Sequence, residues 1–171
     1  MRIKQTLIGS LVAATAFLSV GAQAKEVVWD AHDVIEVGIG VTPAGAIDDT
    51  YVFTLNDPAI LFASAVANNL NGTFGISDGI VSLIKEGPGG APDVLVGTFN
   101  FDGTSGDATN SFGQLMAGEY FYRISGTATG STGGVYSITS EVTAVPEPAS
   151  SAMVTAAALV IFLLQRRRNR D

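Results

Sequence analysis

The chain has no cysteine, one histidine, one tryptophan and few basic residues outside its two ends. Each scarcity removes a class of function. Without cysteine there is no disulfide and no thiol nucleophile, so stability must come from packing. One histidine and no cysteine leave too few nitrogen or sulfur ligands for zinc. A Ser-His-Asp arrangement would have to use His32, and no Gly-x-Ser-x-Gly elbow accompanies it. His32 therefore reads as a solvated loop or strand-edge residue. A lone Trp29 implies no tryptophan-lined sugar cleft. Between Lys25 and Glu147 there are three basic residues (Lys25, Lys85, Arg123) against 15 acidic ones, a net of -12. Such a surface repels nucleic acid and anionic membranes. Long apolar runs are absent from this segment and occur only at the two ends.

At the N-terminus, Arg2 and Lys4 precede an apolar stretch, Leu7 to Val20, and then Ala22-Gln23-Ala24. A positive region, an apolar region and an A-x-A site in this order predict a secretory signal over 1–24, with Lys25 as the first mature residue. The other end reads Val145-Pro146-Glu147-Pro148, then Ala149 to Leu164 with only Ser150, Ser151 and Thr155 as polar interruptions. Arg166, Arg167, Arg168 and Arg170 follow before Asp171. Two prolines fix φ and remove donors, which predicts an extended spacer. The apolar run can enter lipid only as a helix. At about 1.5 Å per residue it spans roughly 24 Å, short of a hydrocarbon core of roughly 30 Å. The arginines would stop transfer and stay inside.

Pro146, Glu147 and Pro148, the short transmembrane helix 149–164 and the arginine tail together resemble the PEP-CTERM sorting signal of Gram-negative bacteria. The resemblance implies a partner, an exosortase-type membrane protease that recognises and processes 144–171. It associates the exported protein with exopolysaccharide, biofilm or floc formation. The plainer alternative is an ordinary C-terminal membrane anchor. Either way the body, 25–143, is predicted to be exported across the inner membrane. It would be a membrane-anchored precursor first, and then reside at the envelope, at the surface or outside the cell.

The body is one domain, large enough for a core of its own. No stretch shows a helical period. Short alternating runs separated by Gly, Pro, Asn and Asp predict about eight strands in an antiparallel Greek-key β-sandwich. Val34 to Val41 places Ile35, Val37, Ile39 and Val41 on one face and Gly38 and Gly40 on the other. Tyr51, Phe53 and Leu55 share a face, and Ala59 to Val66 is apolar on both. Asp78-Gly79 and Asp102-Gly103 each follow a Gly-Thr-Phe strand and read as turns. In 94–101, Leu95, Phe99 and Phe101 are expected to face one way. In the last strand Tyr136, Ile138 and Val142 are expected inward. Leu115-Met116-Ala117-Gly118-Glu119-Tyr120 has the spacing of a tyrosine corner, in which the tyrosine hydroxyl bonds upstream backbone and the glycine takes φ > 0.

The Tyr51 to Leu55 strand and the Leu115 to Tyr120 corner make the sandwich similar to the β-domains that follow many secreted bacterial peptidases. Ile47-Asp48-Asp49-Thr50-Tyr51-Val52-Phe53 also resembles the FxDxF group of PEP-CTERM proteins. Asp49 and Tyr51 match that motif ahead of the Phe53 strand, and Ile47 stands where the first Phe is expected.

Calcium is the one cofactor with candidate ligands. Asp48 and Asp49, and Asp102 and Asp107, place carboxylates in what read as flexible loops. Neither pair has the EF-hand spacing, and capping of Asx-turns by Asp102 and Asp107 is the simpler reading. Asp49 is equally suited to hydrogen-bonding a loop at the sandwich rim. The expected function is a non-enzymatic envelope or matrix protein. The alternative is a carbohydrate-binding module or a secreted hydrolase on the same scaffold, which exposed aromatics beside carboxylates would reveal.

Overall fold

The structure is a computed structural model that describes residues 24–145. The expected sorting motif Pro146, Glu147 and Pro148, the helix 149–164, the arginines Arg166, Arg167, Arg168 and Arg170, and most of the signal segment lie outside the described residues. The proposed body, 25–143, lies within them.

Among the described residues the chain is all-β. The strands are β1 (Glu26–Ala31), β2 (Ile35–Thr42), β3 (Gly45–Leu55), β4 (Ala59–Ala67), β5 (Ile76–Lys85), β6 (Val94–Phe101), β7 (Asn110–Leu115), β8 (Gly118–Ala128) and β9 (Gly134–Ala144). Two short 3-10 turns, Pro88–Gly90 and Ser105–Asp107, interrupt the loops. A five-stranded sheet in the order β1-β3-β8-β5-β6 faces a four-stranded sheet in the order β2-β9-β4-β7. Two corrections to the expected plan follow. There are nine strands among the described residues, and the arrangement is not wholly antiparallel, because β1 runs parallel to β3. Parallel neighbours need a crossover between them, and here β2 makes it by passing through the opposite sheet.

Period-two patterning sets the core. Ile47, Asp49, Tyr51, Phe53 and Leu55 alternate inward along β3, and Tyr120, Tyr122 and Ile124 do so along β8. β4 turns Leu61, Ala63, Ala65 and Ala67 inward, and β9 turns Tyr136, Ile138 and Ser140 inward. All four tyrosines of the chain are buried.

β2 behaves differently. Its apolar residues Ile35, Val37, Ile39 and Val41 are 56–69% exposed, and Gly38 and Gly40 are the buried ones. The cause is ring size. A methyl group on Gly38 would overlap the Tyr51 ring and come within 2.9 Å of Ile138 Cγ2. One on Gly40 would overlap the Tyr136 ring and lie 2.6 Å from its hydroxyl. β2 thus presents its backbone to two aromatic rings and its aliphatic side chains to the outside.

The tyrosine corner is present as expected. Gly118 has φ +150°, and the Tyr120 hydroxyl donates to the Met116 carbonyl at 2.8 Å. The Lys85 ammonium sits 5.6 Å from the centre of the same ring. Two turn and face expectations are corrected. Asp78, at φ +54°, lies inside β5 and forms a bulge, where pairing with β8 slips between Ser77 and Ile80. Leu95 is exposed, because β6 slips register against β5 between Leu83 and Ile84. A slip of one residue reverses the face of every residue beyond it.

Candidate functional site

Two buried polar networks lie inside an otherwise apolar core. The first is built on Asp49, which β3 points inward with only 4% of its surface exposed. The Tyr136 hydroxyl donates to Asp49 Oδ2 at 2.6 Å, and Tyr51 and Tyr136 share a hydrogen bond at 3.2 Å. The backbone amide of Lys25 donates to Asp49 Oδ1 at 3.1 Å. Burial raises the pKa of both Tyr51 and Tyr136, and the bond to Asp49 raises that of Tyr136 further. Both phenols therefore stay protonated and act as donors.

The second network joins the β1–β2 connection to β9 and β8. His32 Nε2 lies 2.8 Å from Ser140 Oγ, and Ser140 Oγ lies 2.8 Å from the Tyr122 hydroxyl. His32 Nδ1 bonds the Asp33 carbonyl. A neutral imidazole satisfies every group. Nδ1–H donates to Asp33, Nε2 accepts from Ser140, and Ser140 accepts from Tyr122. Trp29 and Phe53 enclose the ring edge-on at centroid distances of 6.1 and 4.9 Å. Burial pushes the His32 pKa below its ordinary 6.5, against the smaller upward pull of the Asp33 carbonyl and of Glu36. Burial likewise pushes Tyr122 up. The expected solvated His32 is thus corrected to a half-buried residue that ties strands of both sheets together.

Ser140 beside His32 has the distance of a nucleophile and its base, but not the setting. Its side chain is fully buried with Tyr122 behind it, so no substrate carbonyl can reach Oγ. No carboxylate orients Nδ1, whose partner is a main-chain carbonyl. The network acts as a cross-link between sheets.

The candidate residues fall out as follows. Asp49, Tyr51 and Phe53 share the inward face of β3, so the family-like motif is one physical unit. Asp48 and Asp49 lie within a strand and not in a flexible loop, and they point to opposite faces, so they do not form a joint cation site. Asp48 instead takes both guanidinium donors of Arg123, at 2.6 and 2.9 Å, which lowers its pKa. Asp102 accepts from Thr104 N and Oγ1, both at 2.7 Å, as an Asx-turn does. Asp107 closes the 3-10 turn Ser105–Asp107. Among the described residues no three His, Asp or Glu side chains converge on a point where they could hold a metal ion.

Sequence reasoning missed Ser140. The parity of β9 marks it, since it lies two residues beyond Ile138 on the same face. A shallow cleft of about 540 Å³ on the outside of the four-stranded sheet is lined by Ile39, Val66, Asn68, Asn69, Val135 and Ser137 among others, with no carboxylate or imidazole. Among the described residues no helix is long and apolar enough to cross a membrane.

No family model matches the chain, and no curated protein matches it. Solved structures give likenesses to the two-sheet fold. A mitogen from Yersinia pseudotuberculosis is 16% identical, with 67% of this chain and 90% of that one covered and a TM-score of 0.44. The pre-peptidase C-terminal domain of a Bacillus anthracis collagenase is 11% identical, with 71% and 99% covered and a TM-score of 0.45. PliG of Salmonella Typhimurium, a periplasmic inhibitor of g-type lysozyme, is 16% identical, with 71% and 100% covered and a TM-score of 0.34. At these values the likenesses carry no functional argument.

Proposed function

We propose that the chain is a non-enzymatic protein exported across the inner membrane. An exosortase-type protease sorts and processes it, and it comes to lie at the cell envelope or in an exopolysaccharide matrix. The observation that carries this reading is the order of Pro146-Glu147-Pro148, the apolar Ala149 to Leu164 and the arginines Arg166 to Arg170. Supporting it, the last strand ends at Ala144, directly before the Pro-Glu-Pro spacer, so a cut near that motif leaves all nine strands with the mature domain. The Greek-key sandwich with flanking signal and membrane segments, the membrane-anchored precursor and the absence of a resident cofactor belong to the same proposal.

The alternative, a sugar-binding module or hydrolase, would have to work without Trp29 or the tyrosines at its surface. Trp29 and the tyrosines are in or against the core: the four tyrosines are buried, and Trp29 packs on Tyr51 at 5.1 Å. Replacing Pro146-Glu147-Pro148 by three alanines in a host with an exosortase tests the proposal. The substituted chain is expected to accumulate uncut in the inner membrane. Wild-type sorting of that chain would remove the motif from the argument.

A further inference from the structure

Among the described residues Asp49 is a buried carboxylate without a cation. Among the described residues its partners are a tyrosine hydroxyl and one main-chain amide, and the ion pair recorded there is Arg123 with Asp48. Buried carboxylates are ordinarily paired. The main-chain donor is Lys25 N, at 3.1 Å, and Lys25 is the residue the A-x-A site makes the mature N-terminus.

From this coincidence we infer that Asp49 is the receptor for the α-ammonium group released by signal cleavage. The inference rests on the export reading and deepens it. Water adds across the Ala24–Lys25 peptide bond. The C–N bond breaks, the water oxygen goes to the Ala24 carbonyl carbon, and both water protons end on the Lys25 nitrogen, leaving a carboxylate on Ala24 and NH₃⁺ on Lys25. A neutral amide facing Asp49 becomes a full positive charge at the same place. The charge-assisted bond that results is stronger than the amide bond it replaces.

The surroundings suit this. Lys25 is held from both sides: Thr50 N donates to its carbonyl at 2.7 Å, and its own Nζ donates to the Ile39 carbonyl at 3.2 Å. The amine would therefore stay where the amide is. Ala24 is exposed, and a cleft of about 310 Å³ bounded by Ala24, Lys25, Val41, Thr42, Pro43 and Asp49 gives the larger NH₃⁺ group room and a path to water. A cut one residue to either side would move the charge by about 3.3 Å, out of contact with the carboxylate. The pair also bridges the sheets, because Asp49 is held by Tyr136 of β9. Precursor and mature domain then differ in stability by one ion pair, buried on its Asp49 side, so removal of the signal locks the fold.

The test uses the exported form purified from a Gram-negative host expressing the full chain. A second chain carries Ser-Gly inserted between Ala24 and Lys25, which displaces the amine and leaves Asp49 intact. A third is Asp49→Asn. Three readings are taken: the N-terminal residue, the rate of α-amine acetylation by acetic anhydride near pH 7, and the melting temperature. The wild type is expected to begin at Lys25. Its α-amine should acetylate at least about tenfold more slowly than in the Ser-Gly form, with melting at least about 5 °C higher. A folded Asp49→Asn protein should lose the protection too; if it does not fold, the Ser-Gly comparison decides alone. Equal reactivity and equal melting in wild type and Ser-Gly form overturn the inference. A mature terminus other than Lys25 overturns it and leaves export standing. An uncut chain in the cytoplasm overturns both.

Discussion

Gly40→Ala separates packing from propensity most sharply. Gly40 has no positive φ, so chain entropy alone predicts that alanine stabilises by about 0.4–1 kcal/mol. The structure predicts the opposite sign. The new methyl group meets Cε1, Cζ and the hydroxyl of Tyr136, a ring 1% exposed. Overpacking of this kind costs about 1–3 kcal/mol. Shifting the ring also breaks the 2.6 Å bond to Asp49, a charged acceptor, which adds about 1.5–3 kcal/mol. The sum, about 2.5–6 kcal/mol, is a large part of a domain's usual 5–15. It corresponds to a melting temperature lower by about 10–25 °C. Ile39→Ala is the control. It is the larger change in volume, but Ile39 is 59% exposed and the loss should stay near 0.5 kcal/mol. Thermal unfolding followed by circular dichroism measures both. Melting of Gly40→Ala at or above the wild-type temperature would refute the reasoning.

Tyr120→Phe removes only the corner hydroxyl and should cost about 0.5–1.5 kcal/mol in chemical denaturation; an unchanged midpoint would argue against the bond to Met116. His32 is held neutral by the fold, so its folded pKa lies below the unfolded 6.5. The unfolded chain then binds the extra proton, and stability falls as pH drops below about 6.5 and levels off under the folded pKa. Imidazole NMR should place the midpoint below 6.5, and a midpoint above it would contradict the Ser140 bond as drawn. Sodium and calcium at matched ionic strength should raise the melting temperature equally by screening the acidic surface. Real calcium binding would contribute a further 2.7 kcal/mol or so at a hundredfold excess over Kd. A calcium-specific rise that vanishes in Asp102→Asn would prove the screening view wrong.

Strand periodicity made β3 and most of β9 legible, because each buries one face and the period of two is local information; β4, apolar on both faces, shows no such period. The corner was legible for the same reason: Gly118 and Tyr120 fix it within six residues. β2 was half legible. Its alternation announces a strand, but which face turns in depends on Tyr51 and Tyr136, far away in the chain. Asp49 could be named from its motif, while its burial could not, since that needs Tyr136 and Lys25 to arrive from other strands. His32 was misread for a similar reason. Only the folded chain brings Ser140, 108 residues later, to its ring. The bulge at Asp78 shows the limit of dipeptide rules, because Asp-Gly supplies positive φ equally to a turn and to a bulge.

The sorting proposal is tested most directly by the intact mass of the chain recovered from envelope and medium fractions. The expected species begins at Lys25 and lacks Arg166, Arg167, Arg168 and Arg170. Recovery of only tail-bearing chains ending at Asp171 would contradict processing and leave a simple membrane anchor in its place.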